Sequence, residues 1–126
     1  MIDKRELSIG DWVMYRNREW QVCSLYQFTG EVGLWRKDSQ ICENVADLTP
    51  VPLTPEVLEK NGLCVVEEDA DFSEYELFGS ENFSIFHTKG TLRYRLETPQ
   101  ASVVCWYVHQ LQHALRLAGI DNEIEL

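Results

Sequence analysis

Two histidines four positions apart, His109 and His113 in VHQLQHAL, are the first residues in this chain whose spacing suits a reaction centre. On a helix, that spacing projects both imidazoles from one face, the geometry in which two neutral rings grip a metal ion. A zinc site needs a third and usually a fourth ligand, and the intervening Glu of an H-E-x-x-H motif is missing. His87 and Glu97 are the supplements the sequence offers. The structural alternative places His109 near the start of a helix with its ring hydrogen-bonded, and His113 exposed. A second chemistry, a Cys-His nucleophile, is available if Cys105 meets His87 or His109. Cys105 stands between Val104 and Trp106, in a run that reads as a buried strand, where burial suppresses the reactive thiolate. The chain has no Gly-rich phosphate loop, G-x-S-x-G elbow or paired-carboxylate motif. The expectation is a non-enzymatic protein without a cofactor, with a small metal-dependent enzyme through His109 and His113 as an alternative.

Trp35, Arg36 and Lys37 combine an aromatic ring with two cations, the pairing that holds peptides or unstacked bases. They are the candidate contact residues for a protein partner or, as an alternative, a nucleic acid. Net charge argues against the latter. At −10, with seven basic against ten acidic residues in 1–62 and four against eleven in 63–126, the chain offers no basic stripe to a phosphate backbone. The densest acidic run is Glu67, Glu68, Asp69, Asp71, Glu74, Glu76. It lacks the patterned loop, central Gly and closing Glu of an EF-hand, and reads as a solvated strand edge or loop.

The elements that must position these groups follow from periodicity. Ala101 to Gly119 begins as an apolar β-branched strand, Val103 to Trp106, expected to be buried. It then changes to a helical period in which Val108, Leu111, Leu115 and Ala118 share a face, with Gly119 as terminator. An isolated helix of that length is marginal in water, so this face requires a sheet to lie on.

At the N-terminus, Trp12 to Tyr15, Trp20 to Tyr26 and Val32 to Trp35 read as strands separated by a polar turn at Asn17-Arg18 and a Gly30 turn, and Ile41 to Leu48 brings the chain back. That order is the order of a small SH3-like barrel or curled meander, and alternation places Trp12 and Trp20 inside. Pro50-Val51-Pro52-Leu53 is extended, and Thr54, Pro55, Glu56 and Gly62 supply the cap, first turn and stop of a short helix. Residues 63–97 form a meander: Leu63 to Val66, Tyr75 to Phe78, Phe83 to His87, a Thr88-Lys89-Gly90 turn, and a half-buried strand in which Leu92, Tyr94 and Leu96 alternate with Arg93, Arg95 and Glu97. Ile85 and Phe86 are expected to face this strand across the hairpin.

The resulting architecture is α+β. An N-terminal SH3-like curled antiparallel sheet spans 1–53. Residues 54–126 carry a short connecting helix and a second antiparallel sheet packed by the C-terminal helix. The phrase Gly10-Asp11-Trp12-Val13 followed by Trp20-Gln21-Val22 resembles the opening of SH3-like and KOW-type modules. Over the whole chain, PVPLTPEVLEKNGL and WYVHQLQHALRLAGIDNEIEL resemble a family of short, uncharacterised proteins of gut bacteria and their phages or integrated elements. Such proteins carry a proline-rich lead into a short helix and a terminal YVHQLQ helix; Leu63 here takes a position that is Phe in the family pattern. The resemblance implies fold and a bacterial, phage or mobile-element origin, and brings no activity with it.

With 126 residues and 44% hydrophobic content, the chain fits one domain or two small subdomains. No apolar run approaches the ~18 residues of a membrane helix, and MIDKRELSIGD lacks a signal-peptide core, so a cytoplasmic protein without membrane contact is expected. The four cysteines contain no C-x-x-C pair, and three lie in apolar stretches, the pattern of buried reduced thiols. The leading function is protein interaction, as a monomer or a homodimer.

Overall fold

A computed structural model describes residues 2–26, 28–77, 83–120 and 123–126. Phe78 of the third apolar segment, and Asp121 and Asn122 of the terminal motif, lie outside them. The chain is α+β, with two five-stranded antiparallel sheets, one short helix and one C-terminal helix. It divides into two compact units, Met1–Val51 and Pro52–Leu126. Among the described residues no helix is long and apolar enough to cross a membrane.

The first unit is a meander of β1 (Trp12–Tyr15), β2 (Arg18–Leu25), β3 (Glu31–Arg36) and β4 (Ser39–Asn44), with β5 (Thr49–Pro50) returning beside β1. Arg16 and Asn17 both have positive φ, 49° and 63°, as a two-residue turn matched to the twist of its strands requires. The turn thus sits one residue earlier than the sequence pattern placed it. Opposite residues in an antiparallel pair share a face. Val13 faces Trp20, and Val22 faces Leu34, so these four point to one side, where Val13, Val22, Val32, Leu34 and Leu48 form the core and Trp20 packs against it. Trp12, one residue before Val13, takes the other side opposite Gln21 and is only half-buried, contrary to its expected place inside.

The second unit begins with Pro52, bridged to Tyr107, and Leu53, whose N–H donates to the Trp106 carbonyl at 3.2 Å. The Thr54 hydroxyl accepts from the Val57 N–H at 3.3 Å to start α1 (Pro55–Lys60), and Gly62 leaves it at φ 85°. Then come β6 (Leu63–Glu68), β7 (Phe72–Leu77), β8 (Ser84–Thr88), β9 (Tyr94–Glu97) and β10 (Ser102–Cys105), in simple sequential order across the sheet. Tyr75, Ile85 and Leu96 are successive cross-strand partners, all buried, and Tyr94 pairs with Cys105 beside them. Helix α2 (Val108–Leu117) buries Val108, Leu111, Ala114 and Leu115, together with His109 and Gln112. The Gln110 side-chain oxygen secures its start by accepting from the Trp106 and Tyr107 N–H groups at 2.8 and 3.2 Å. Asn61 clips the chain near its end, accepting from the Glu125 N–H at 2.7 Å and donating to the Glu125 carbonyl at 2.8 Å, next to buried Ile124.

Three further expectations are corrected. Val103, Val104 and Trp106 are exposed rather than buried, because β10 is the last strand of its sheet and only Cys105 turns fully inward. Ala118, at the helix end, is exposed, and Ala114 takes the inner place. Leu92 precedes β9 and stands in solvent.

Gly33 makes a packing demand that can be measured. It is buried in β3 at the irregularity opposite Ser24, and a Cβ there falls 2.9 Å from the Ser24 Cβ and 3.3 Å from the Cys23 sulfur. Gly33→Ala is expected to lower stability by about 1–3 kcal/mol, read as a drop in denaturant midpoint, and Ser24→Gly in the same chain to recover much of the loss.

Candidate functional site

The row of side chains one residue out of phase with the core of the second sheet forms its open face. Glu67, Glu74, Phe86, Arg95 and Val104 are cross-strand neighbours in that order from β6 to β10. The Arg95 guanidinium lies 5.2 Å from the Phe86 ring centroid, and its Nε is 3.0 Å from Glu97. Phe72 enters from the start of β7. Around these rings Glu67, Glu68, Asp69 and Glu74, with Arg95, line a groove of about 280 Å³.

The carboxylates here are not equivalent. Glu68 pairs with Lys89 at 2.6 Å, which lowers its pKa. Asp69 accepts from the Asp71 and Phe72 N–H groups at 2.7 and 2.8 Å, with the same effect. Glu76 accepts from the Ser84 hydroxyl at 3.2 Å. Glu74 goes the other way: desolvation pushes its pKa up against the lowering effect of a hydrogen bond from Ser84, and the charges of Glu76 and Glu67 add to the rise. Glu67 and Glu74 stand directly opposite each other, and among the described residues neither has an ion-pair partner. An aromatic floor beside two facing carboxylates suits a guanidinium or ammonium group.

The candidates from sequence are placed as follows. Trp35 is 42% exposed on the face opposite the first core, in a row with Gln21 and Trp12 on one side and Gln40 on the other. Arg36, the next residue along the strand, therefore points to the opposite face, and Lys37 occupies the β3–β4 turn at φ 52°. His109 and His113 do share a helix region, with ring centroids 6.0 Å apart and edge to face, and Tyr107 stacks parallel to His109 at 6.1 Å. His109 is buried, and His113 is half-buried rather than exposed. No cluster of three or more His, Cys, Asp or Glu able to hold a metal occurs among the described residues. His87 stacks on Tyr94 at 4.3 Å, its Nε2 2.9 Å from the Thr91 carbonyl, and Glu97 is taken up with Arg95.

Cys105 is on the far side of Tyr94 from His87 in the same cross-strand row, and burial pushes its thiol up to about 11. All four cysteines are free. The expectation of buried thiols holds for Cys105 alone: Cys23 is half-buried, while Cys42 and Cys64 are exposed because their strands form sheet edges. Phe86 and Glu74 were not singled out from sequence as site residues. The usable signal was the Thr88-Lys89-Gly90 turn, which opens the loop between β8 and β9, strands whose register sets Phe86 opposite Arg95.

No family model, curated protein or solved structure matches this chain.

Two outcomes check this electrostatic and thiol assignment. A carboxyl whose folded pKa is raised favours the fold only while protonated and loses that contribution as pH rises through the folded value. Glu74→Gln is therefore expected to raise the denaturant midpoint at pH 7, with the gain shrinking as pH falls through the raised folded value and gone well below the ordinary glutamate value of 4.5. In native protein at pH 8, iodoacetamide is expected to label Cys64 before Cys42, whose thiol is pushed up by Glu31, its hydrogen-bond acceptor at 3.0 Å, and to leave Cys105 unmodified, as peptide mass mapping will show.

Proposed function

We propose that this chain is a non-enzymatic interaction protein that receives a cationic segment of a partner protein on the open face of its second sheet. The observation that carries this reading is the Glu67–Glu74 pair, two carboxylates in direct register that have no ion-pair partner among the described residues, in the groove that Phe86 and Arg95 also line. Like charges placed directly opposite each other destabilise a sheet. A Lys or Arg side chain seated between them removes that repulsion while its stem covers the Phe72 and Phe86 rings. Binding and fold stability are then linked through one pair of residues.

The meander order of the first sheet, with its fifth strand returning beside the first, supports an SH3-like reading of that unit. The resemblance of the joint and the terminal helix to the bacterial and phage family supports an accessory role of that origin. The separation of Trp35 from Arg36 onto opposite faces, together with the net charge of −10, weighs against a nucleic-acid module.

Fluorescence anisotropy with short Lys/Arg-rich peptides tests the proposal. Binding is expected at low ionic strength and is expected to weaken with salt. Phe86→Ala and Glu74→Gln are each expected to lower affinity about tenfold or more, equivalent to about 1.4 kcal/mol, with the far-UV spectrum unchanged. Equal affinity in both variants, or no binding at low salt, would overturn the reading.

A further inference from the structure

The free edge of β10 is a second surface with a determinate chemistry. The Thr98 N–H donates to the Ala101 carbonyl at 2.9 Å, so Thr98 and Ala101 form a hydrogen-bonded pair at the β9–β10 turn. Alternation along an antiparallel ladder then directs the N–H and C=O groups of Val103 and Cys105 toward β9, and those of Ser102 and Val104 outward. Trp106, next in the outward set, is already engaged: its N–H donates to Gln110, and its carbonyl accepts from Leu53. The open edge is therefore short, running from Ser102 to Val104, and all three residues are exposed.

Sheet edges are ordinarily protected by charge, proline or bulges. Among the described strands, β5 ends in Pro50, β4 carries Glu43, and β6 carries Glu67, Glu68 and a register shift. Ser102-Val103-Val104-Cys105 has none of these. Beside it, on the side where Val103 points, Leu96, Ala101, Val103, Ala114 and Leu117 line an apolar groove of about 290 Å³, and Leu117 is 89% exposed.

We infer that this edge pairs with the same edge of a second copy of the chain, joining two five-stranded sheets across a two-fold axis at Val103. The register is dictated by the outward groups. Ser102 and Val104 of one copy exchange backbone bonds with Val104 and Ser102 of the other. The two Val103 residues then face each other as a non-hydrogen-bonded pair, the closer of the two antiparallel spacings, at about 4.5 Å between Cα atoms. The occupant follows from charge and self-complementarity. A chain at −10 repels its own copies overall, and both the strand and the groove lining are uncharged, so two copies meet here without bringing like charges together. The second Val103 supplies the missing wall of the apolar groove. Pairing of this kind is symmetric and closes at the dimer.

Sedimentation of the full chain over a concentration series is expected to show a reversible monomer–dimer equilibrium that strengthens with added salt, as the repulsion between acidic copies is screened. Val103→Glu, which sets two carboxylates on the axis, is expected to give a monomer with an unchanged circular dichroism spectrum. Val103→Cys is expected to form an intermolecular disulfide between the introduced thiols under mild oxidation, since about 4.5 Å lies within disulfide geometry, whereas Val104→Cys is not, because its opposite residue is Ser102. A monomer at about 1 mM protein in high salt, a dimer untouched by Val103→Glu, or equal cross-linking of the two cysteine variants would overturn the inference.

Discussion

The second unit depends on the register of one row: Tyr75, Ile85 and Leu96, paired across β7, β8 and β9 and buried on the inner face. Each large side chain removed from water contributes roughly 1.5–3 kcal/mol. Because strand side chains alternate with a period of two, a slip of one residue would exchange this row for Glu74, Phe86 and Arg95. The cost of placing a carboxylate and a guanidinium where the inner row now lies makes the register all but unique. The open face is thus specified by the same constraint that makes the core. Phe86 meets Arg95, and Glu74 meets Glu67, because Ile85 must meet Leu96.

The first unit obeys the same rule with a different outcome. Val13 and Trp20 are fixed opposite each other by the two-residue turn at Arg16-Asn17, which leaves Trp12 and Trp35 on the other side of the sheet. At its opening, the Gly10 N–H reaches the Val22 carbonyl at 2.7 Å, and the buried Asp11 carboxylate accepts from the Ser8 N–H at 2.8 Å. The Gly-Asp pair ahead of the first strand therefore has a structural explanation in the turn it makes. Gly10 supplies a φ of 96°, and Asp11 satisfies the backbone of the residues before it.

Much of this architecture was legible in the residues. Thr54, Pro55 and Gly62 bound α1 because caps and stops act locally, and the spacing of Val108, Leu111 and Leu115 marked the buried stripe of α2 for the same reason. What escaped was whatever depends on strand order. An apolar β-branched run such as Val103-Val104 reads the same whether its strand is central or terminal, and only the topology shows that β10 is an edge. Trp35-Arg36-Lys37 looks like one patch in sequence, whereas pleating distributes it over two faces and a turn. His109 and His113 were correctly placed near each other by helical spacing, but the identity of what surrounds a helix is not encoded within it. The acidic run read as solvent-facing, and most of it is. Glu74 differs from its neighbours through Phe86 and Glu67, partners that sequence adjacency does not reveal.

The clip between Asn61 and Glu125 closes a loop of 64 positions with a pair of hydrogen bonds and tucks Ile124 into the interior. A ribosome makes the chain in one direction at roughly 5–20 residues per second. Asn61 therefore waits several seconds for its partner, with α1 capped but its outer end unfastened. Contacts within the first unit need no residue beyond Val51 and are available throughout that interval. The two units thus gain their contacts at different times during synthesis, and in the later one the Asn61–Glu125 contact forms only after 64 further residues have followed Asn61.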